Sequence, residues 1–117
     1  MQRLFLAVSL ILAPLPTMAA ELLMFDAYGC MHCEMWKDDV GAYYHKTREG
    51  KSAPLRIVSL DEDRPEDIEW IEGVRFSPTF VLIDDDREVG RIVGYPGEDL
   101  FWMNMETVFR RLGNARP

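Results

Sequence analysis

The two cysteines of this 117-residue chain lie three positions apart, in the segment Cys30-Met31-His32-Cys33. An apolar run at residues 22–25, which predicts a buried strand, comes shortly before them, and a predicted helix begins at Cys30. The N-terminus of a helix carries unpaired N–H groups and a partial positive charge, and both stabilise a thiolate. Because the thiolate is the reactive form of cysteine, two thiols one helical turn apart can close and reopen a disulfide. The sequence therefore predicts a reactive cysteine pair at a strand-to-helix junction.

The first twenty residues have the three-part pattern of a secretory signal peptide. Arg3 supplies the positive charge, residues 4–12 form an apolar run, and small residues end the segment. The run is shorter than the roughly 20 residues that a membrane-spanning helix needs. We therefore expect cleavage after Ala19 or Ala20 and export to an oxidising compartment, which is the periplasm in a Gram-negative bacterium.

Residues 21–117 are enough for one small domain, and they contain no internal repeat or linker composition. The chain has a net charge of −7, with acidic clusters at residues 61–63, 66–67 and 84–86. This charge argues against nucleic acid and against anionic membrane surfaces as partners, because both require lysine and arginine. We interpret the acidic clusters as solvated loop tips and helix starts, and we expect a monomer.

Hydrophobic patterning predicts seven elements in the order β-α-β-α-β-β-α. The predicted strands cover residues 22–25, 55–60, 79–83 and 88–95, and the predicted helices cover about 30–47, a short segment from Pro65, and 98–112. Gly50 and Gly73 are expected to end the first two helices. Strands connected through helices should be parallel and the last two antiparallel, giving a mixed four-stranded sheet with helices on both faces.

This order of elements resembles the thioredoxin fold in its minimal form, over nearly all of residues 21–117. Three landmarks carry the resemblance: Cys30 to Cys33 after the first strand, Ser77-Pro78-Thr79 before the third, and Gly94 late in the fourth. The resemblance implies a thiol–disulfide oxidoreductase that exchanges disulfides with a protein partner. Its redox group would be a Cys30–Cys33 disulfide, with no organic cofactor and no metal.

The resemblance also assigns roles by position. Cys30, the more exposed cysteine, would attack a substrate disulfide, and the more buried Cys33 would resolve the mixed disulfide. Pro78 would follow a cis peptide bond and leave the backbone at Ser77 free to pair with an extended substrate segment. Gly94 would border the substrate groove, and Met31 is an apolar candidate for substrate contact.

The direction of electron flow is left open by the residues around the pair. An imidazole at His32 would stabilise the Cys30 thiolate, and in this family Cys-Pro-His-Cys belongs to strong oxidants, whereas Cys-Gly-Pro-Cys belongs to reductants. Here the histidine is present, but Met31 replaces the proline. Thioredoxins also keep a buried acid six residues before the first cysteine, where this chain has Met24. Asp26, four residues before, is a candidate substitute for proton transfer.

Three other interpretations compete with a protein reductase. A purely structural disulfide is disfavoured because so short a loop restricts the unfolded chain little. The protein would be a disulfide-forming oxidant if His32 has the main influence on the reduction potential of the cysteine pair. A copper-binding, thioredoxin-like metallochaperone would use Cys30 and Cys33, since Cu(I) prefers soft ligands. His45, the only other histidine, lies near the far end of the predicted helix and is no fourth ligand.

A narrower resemblance follows from the signal peptide, Cys-Met-His-Cys, Ser-Pro-Thr and the Gly94-Tyr95-Pro96-Gly97 turn. This combination is similar to that of the small periplasmic thioredoxins encoded with bacterial sulfur-oxidation (Sox) systems. The similarity implies a periplasmic enzyme that reduces a cysteine of a Sox protein, such as the sulfur carrier. Its electrons would come from a membrane-embedded dithiol relay.

Overall fold

The computed structural model describes residues 2–12 and 20–115, the last two as backbone only. Residues 2–12 are exposed and lie outside the regular elements. The strands are β1 (Ala20–Asp26), β2 (Leu55–Ser59), β3 (Thr79–Asp84) and β4 (Arg87–Val93). The helices are α1 (Met31–Trp36), α2 (Arg48–Ser52) and α3 (Glu98–Ala115), with a π-helical turn at Lys37–Gly41 and 3₁₀ turns at Tyr44–Lys46 and Glu66–Ile68.

The four strands form one mixed sheet in the order β2-β1-β3-β4, which confirms the predicted α/β fold class. β1 is parallel to β2 and antiparallel to β3, and β3 is antiparallel to β4. The expectation that β3 would be parallel to β2 is wrong. Residues 60–78 contain one 3₁₀ turn and no crossover helix, so they do not carry the chain to the far end of the sheet. β3 therefore starts where β2 ends and runs in the opposite direction.

The first predicted helix, over residues 30–47, is divided in the structure. After α1 and the π-helical turn the chain bends, and α2 begins at Arg48 because the Thr47 hydroxyl accepts a hydrogen bond from the N–H of Gly50 at 2.9 Å. The expectation that Gly50 ends a helix is wrong, because this residue lies inside α2. There a Cβ would lie 1.9 Å from the carbonyl oxygen of Tyr44, so only glycine fits.

The second predicted helix, from Pro65 to Gly73, is reduced to the 3₁₀ turn at Glu66–Ile68. Its two apolar residues nevertheless perform the packing that the pattern indicated. Ile68 and Ile71 are buried against Leu23 and Phe25 of β1, on one face of the sheet. The alternation of side chains along the strand sends Leu22 and Met24 to the other face.

On that other face, α1 and α3 pack side by side over the sheet. Trp36 packs against the rings of Phe80 and Phe101, with centroid distances of 4.9 and 5.9 Å. The residues of the predicted helical faces that are buried here are Trp36, Val40, Tyr44, Phe101, Met105, Val108 and Leu112. Leu100, predicted on the apolar side of the last helix, is instead 50% exposed. Helical segments thus cover both faces of the sheet.

Tyr44 makes this packing sensitive to alkaline pH. Its hydroxyl donates a hydrogen bond to the carbonyl oxygen of Ala53 at 2.7 Å, and burial raises the pKa of the phenol well above its usual range. The folded-state pKa exceeds the unfolded value of about 10, so this stabilisation is complete below pH 10 and falls as the pH rises further.

We expect Tyr44→Phe to reduce the free energy of unfolding at neutral pH by about 1–3 kcal/mol, because the Ala53 carbonyl loses its partner. The variant should also lose the part of the alkaline destabilisation that Tyr44 causes. Denaturant titrations at neutral pH and above the tyrosine pKa measure both effects. Tyr28→Phe, at an 80% exposed tyrosine, is the control and should change the neutral-pH value by less than about 0.5 kcal/mol.

Candidate active site

The strand registers bring the three sequence landmarks to one end of the sheet. β1 ends at Asp26, β3 begins at Thr79 beside Phe25, and β4 ends at Val93 beside Thr79. The segments that follow β1, precede β3 and follow β4 therefore emerge together. We call this region, made of residues 27–33, 76–78 and 93–94, the cysteine end of the sheet.

Cys30 and Cys33 form a disulfide with their Cα atoms 5.2 Å apart. Cys30 is the N-cap residue of α1, and its Sγ accepts a hydrogen bond from the backbone N–H of Cys33 at 3.1 Å. After reduction, this N–H and the helix dipole would stabilise a thiolate on Cys30. Cys33 is fully buried and Cys30 only partly, so Cys30 is the sulfur that an incoming group can reach.

The backbone opposite the disulfide has an unusual geometry. The peptide bond between Ser77 and Pro78 is cis, and Pro78 is buried. The carbonyl oxygen of Pro78 accepts a hydrogen bond from the N–H of Gly94 at 2.7 Å, where Gly94 has a φ of +84°. This φ favours glycine, and it turns the chain at the point where β4 ends. Gly94 and Pro78 are thus fixed to each other at the cysteine end.

The other two residues predicted at the site lie on the surface. Met31 is 69% exposed, and His32 is exposed and has no hydrogen-bond partner among the described residues. Sequence reasoning missed three further apolar side chains at the cysteine end: Tyr28, Phe76 and Val93 are 80%, 68% and 57% exposed. They could have been identified from the sequence, because they lie within two residues of Cys30, Ser77 and Gly94. We call these three residues and Met31 the apolar rim of the cysteine end.

Asp26, the candidate for proton transfer, is engaged in an ion pair. Its carboxylate accepts hydrogen bonds from Lys37 Nζ at 2.7 Å and from the N–H of Ala27 at 3.0 Å. Lys37 also donates to Glu34, and the hydrogen bond to Asp26 is the main cause of its raised pKa. Met24, at the position of the thioredoxin acid, is fully buried in the core. Sequence reasoning named Asp26 and missed Lys37, which lies one helical turn after Cys33.

A hollow of about 330 Å³ opens beside this ion pair. Four of its lining side chains carry a charge, and Tyr28 forms part of its wall. The backbone N–H of Tyr28 donates to Asp61 at 2.7 Å, which holds the loop after β1 against the loop after β2. The charged lining residues are Asp26, Glu34, Lys37 and Glu62.

A helix-capping cysteine joined to a buried cysteine one turn later, beside a cis-proline on a mixed sheet, is the site of a thioredoxin-type thiol–disulfide oxidoreductase. The crystal structure of the reduced periplasmic thioredoxin SoxS from Paracoccus pantotrophus is 39% identical, with a TM-score of 0.72 over 83% of this chain and 99% of that chain. The chain therefore belongs to the thioredoxin-like superfamily and, within it, to the SoxS type.

Two further solved structures are similar at lower identity. Thioredoxin from Fasciola hepatica is 28% identical, with a TM-score of 0.57 over 79% of this chain and 80% of that chain. A mutant thioredoxin from Halobacterium salinarum is 27% identical, with a TM-score of 0.55 over 77% of this chain and 74% of that chain. A comparison with models of protein families found no match, and neither did a comparison with curated proteins.

The redox group of this enzyme is its own Cys30–Cys33 disulfide. Across residues 2–12 and 20–115, no group of three or more histidine, cysteine, aspartate or glutamate residues is placed to hold a metal ion. No helix in the described part of the chain is long and apolar enough to cross a membrane.

Proposed function

We propose that this enzyme is exported to the periplasm and there reduces a protein disulfide, most specifically one that involves a cysteine of a Sox system protein such as the sulfur carrier. The observation that carries the proposal is the 39% identity to a periplasmic thioredoxin, SoxS, over nearly the whole of that protein. The signal-peptide pattern of residues 1–20 supports export.

The reaction begins with the dithiol form. The Cys30 thiolate attacks one sulfur of the partner disulfide, which forms a mixed disulfide and releases the other partner sulfur as a thiolate that takes up a proton. The Cys33 thiol then loses its proton, attacks the Cys30 sulfur and releases the second partner thiol. Two electrons and two protons pass to the partner, and the Cys30–Cys33 disulfide is formed again. A membrane-embedded dithiol relay would restore the dithiol.

The cysteine end of the sheet offers contacts for such a partner. The Ser77 backbone would pair with an extended segment that carries the partner cysteine, as the thioredoxin resemblance implies. The apolar rim, with Met31 exposed directly beside Cys30, would bury apolar side chains that flank that cysteine. Gly94 has no side chain, so the segment can approach the backbone there.

The position of β1 bears on the leader cleavage. Ala19 lies outside the described residues, whereas Ala20 is the first residue of β1, is buried, and pairs with Asp84. Cleavage after Ala19 would keep the buried Ala20 and its pairing with Asp84, and cleavage after Ala20 would remove them. We therefore expect the exported protein to begin at Ala20. Mass spectrometry of the protein recovered from the periplasm tests this, and a mature form that begins at Glu21 would contradict it.

The reduction potential tests the proposed direction. Equilibration with glutathione should give a value nearer to thioredoxin's, about −270 mV, than to that of the strong oxidant DsbA, about −120 mV. His32→Ala should make the value more negative, because the imidazole would favour the reduced form by stabilising the Cys30 thiolate. A potential near that of DsbA would identify a disulfide-forming oxidant, and it would overturn the proposal.

A further inference from the structure

A second surface lies beside the cysteine end, along the outer side of β4. β4 is an edge strand that pairs only with β3, and no described backbone group is hydrogen-bonded to its outer side. Residues of α3 at helical spacings of three and four face this edge and, with it, enclose two hollows of about 250 and 200 Å³. We call this surface the β4–α3 groove, and its helical residues are Asn104, Thr107, Val108 and Arg111.

Arg111 occupies the middle of the β4–α3 groove and lines both hollows. It lies over Gly90, where a Cβ would be only 3.1 Å from Nη1 of Arg111 and 3.1 Å from Cγ1 of Val108. The absence of a side chain at residue 90 therefore lets the guanidinium lie close to the backbone of β4. A glycine inside a strand marks a bulge or a close approach, and both occur here, since the pairing of β3 with β4 shifts register between Leu82, opposite Gly90, and Ile83, opposite Glu88.

The guanidinium of Arg111 has no partner among the described residues. Its neighbours differ: Arg91 is paired with Glu88 at 2.5 Å, and Arg110 with Glu106 at 3.3 Å. In a chain of net charge −7, Arg111 is thus an exposed cation beside a free strand edge, with no counterion among the residues that the structure describes. An arginine whose planar guanidinium is unpaired is the side chain best suited to bind a carboxylate through two parallel hydrogen bonds.

We propose that the β4–α3 groove binds an extended segment of the partner protein, which pairs with the free edge of β4 and places an aspartate or glutamate on Arg111. This inference rests on the proposed function, because it concerns the same protein partner. Strand addition to an exposed edge satisfies the unpaired N–H and C=O groups, and the arginine supplies the sequence preference.

Position and charge define the segment further. One end of the groove is lined by Val93, which belongs to the cysteine end, so one partner can occupy both surfaces. The other end reaches Arg87, whose side chain also has no partner among the described residues, and the acidic turn at residues 84–86, which offsets the charge of Arg87. The bound segment therefore matches the seven residues of β4, about 23 Å in extended form, with its acidic residue near the middle.

The test compares three disulfide-linked peptides as substrates of the reduced enzyme. The first is a short peptide without an extension, the second carries an extended seven-residue acidic tail, and the third has glutamine in place of the acids. We expect the wild type to show a KM about three- to fivefold lower for the acidic tail than for the glutamine tail. Arg111→Gln should abolish this preference, whereas Arg110→Gln, the matched control on the next residue, should keep it.

Amide NMR spectra provide a readout that does not depend on turnover. A cysteine-free acidic heptapeptide should shift the amide signals of residues 87–93 in the wild type, and the same peptide N-methylated at alternate residues should not, because it cannot pair as a strand. Equal KM values for the two tails, or shifts unaffected by N-methylation, would overturn the proposal. If the protein is a dimer in which the β4 edge is buried, the groove binds a second copy of this chain, and the proposal is overturned. If none of the three peptides is reduced, the proposed function fails, and the NMR result still decides on the groove.

Discussion

The Cys33→Ser variant should accumulate a covalent complex with its partner, linked through Cys30, and turnover should stop. Cys30 remains at the N-cap of α1, where the helix N-terminus stabilises its thiolate. The first attack therefore proceeds, but no thiol remains to attack the Cys30 sulfur and release the partner. Incubation of the variant with a periplasmic extract, followed by non-reducing electrophoresis and mass spectrometry of the linked peptides, measures the complex.

Cys30→Ser is the matched control for this experiment. Its remaining thiol, Cys33, is fully buried, so it should neither form the complex nor reduce a substrate. Both variants lose the same disulfide, which means that any difference between them reports on the two sulfurs and not on the lost cross-link. A complex formed equally by both variants, or by neither while both stay folded, would contradict the assigned roles.

Gly50→Ala should destabilise the fold more than any other glycine-to-alanine change in the described chain. The new Cβ would lie 1.9 Å from the carbonyl oxygen and 2.7 Å from the carbonyl carbon of Tyr44, and both are backbone atoms that cannot rotate away. α2 would have to separate from the Tyr44–Lys46 turn, which also carries the hydrogen bond of Tyr44 to Ala53. We expect the free energy of unfolding to fall by about 3 kcal/mol or more in denaturant titrations.

Gly113→Ala provides the control within the same protein. Gly113 lies in α3, and a Cβ there meets no atom within 4 Å. Replacing glycine by alanine in an unobstructed helix should raise the free energy of unfolding by about 0.5–1 kcal/mol. Similar effects at the two positions would show that the close approach at Gly50 does not govern the packing of α2.

Much of the fold could be predicted because strand patterns here are unambiguous. The apolar runs that became β1 and β3 are buried on both faces, so their composition marks them clearly. The direction of β3 could not be predicted from that signal. It depends on whether residues 60–78 form a crossover helix, and the acid-rich stretch after Pro65 has helix-start residues but buries only Ile68 and Ile71 of its apolar residues.

The division of the first helix was also beyond the sequence pattern. Trp36, Val40 and Tyr44 repeat every four residues and all face the core, which is what an unbroken helix would also show. The break depends on the hydrogen bond from the Tyr44 hydroxyl to the Ala53 carbonyl, nine residues later, and on the Thr47 cap of α2. The cap is a local signal that a threonine before a helix could have given, whereas the contact of Tyr44 needs the folded chain.

The site was predictable where it depends on local sequence. The helix-start position of Cys30 follows from a short motif, whereas Gly94, predicted late in the fourth strand, lies just after β4 ends at Val93. The ion pair of Asp26 with Lys37 joins the end of β1 to the turn after α1, and it could be recognised only in the folded structure. The unpaired Arg111 over Gly90 is of the same kind, since 21 positions separate the two residues.

The most direct test of the central claim is a single turnover of the reduced wild-type enzyme with a protein disulfide, followed by alkylation and mass spectrometry of both proteins. We expect two substrate thiols to appear for each Cys30–Cys33 disulfide formed, because every electron pair passes through this one pair. Substrate thiols without that disulfide, or a dithiol left intact beside an unreduced substrate, would contradict a thioredoxin-type oxidoreductase.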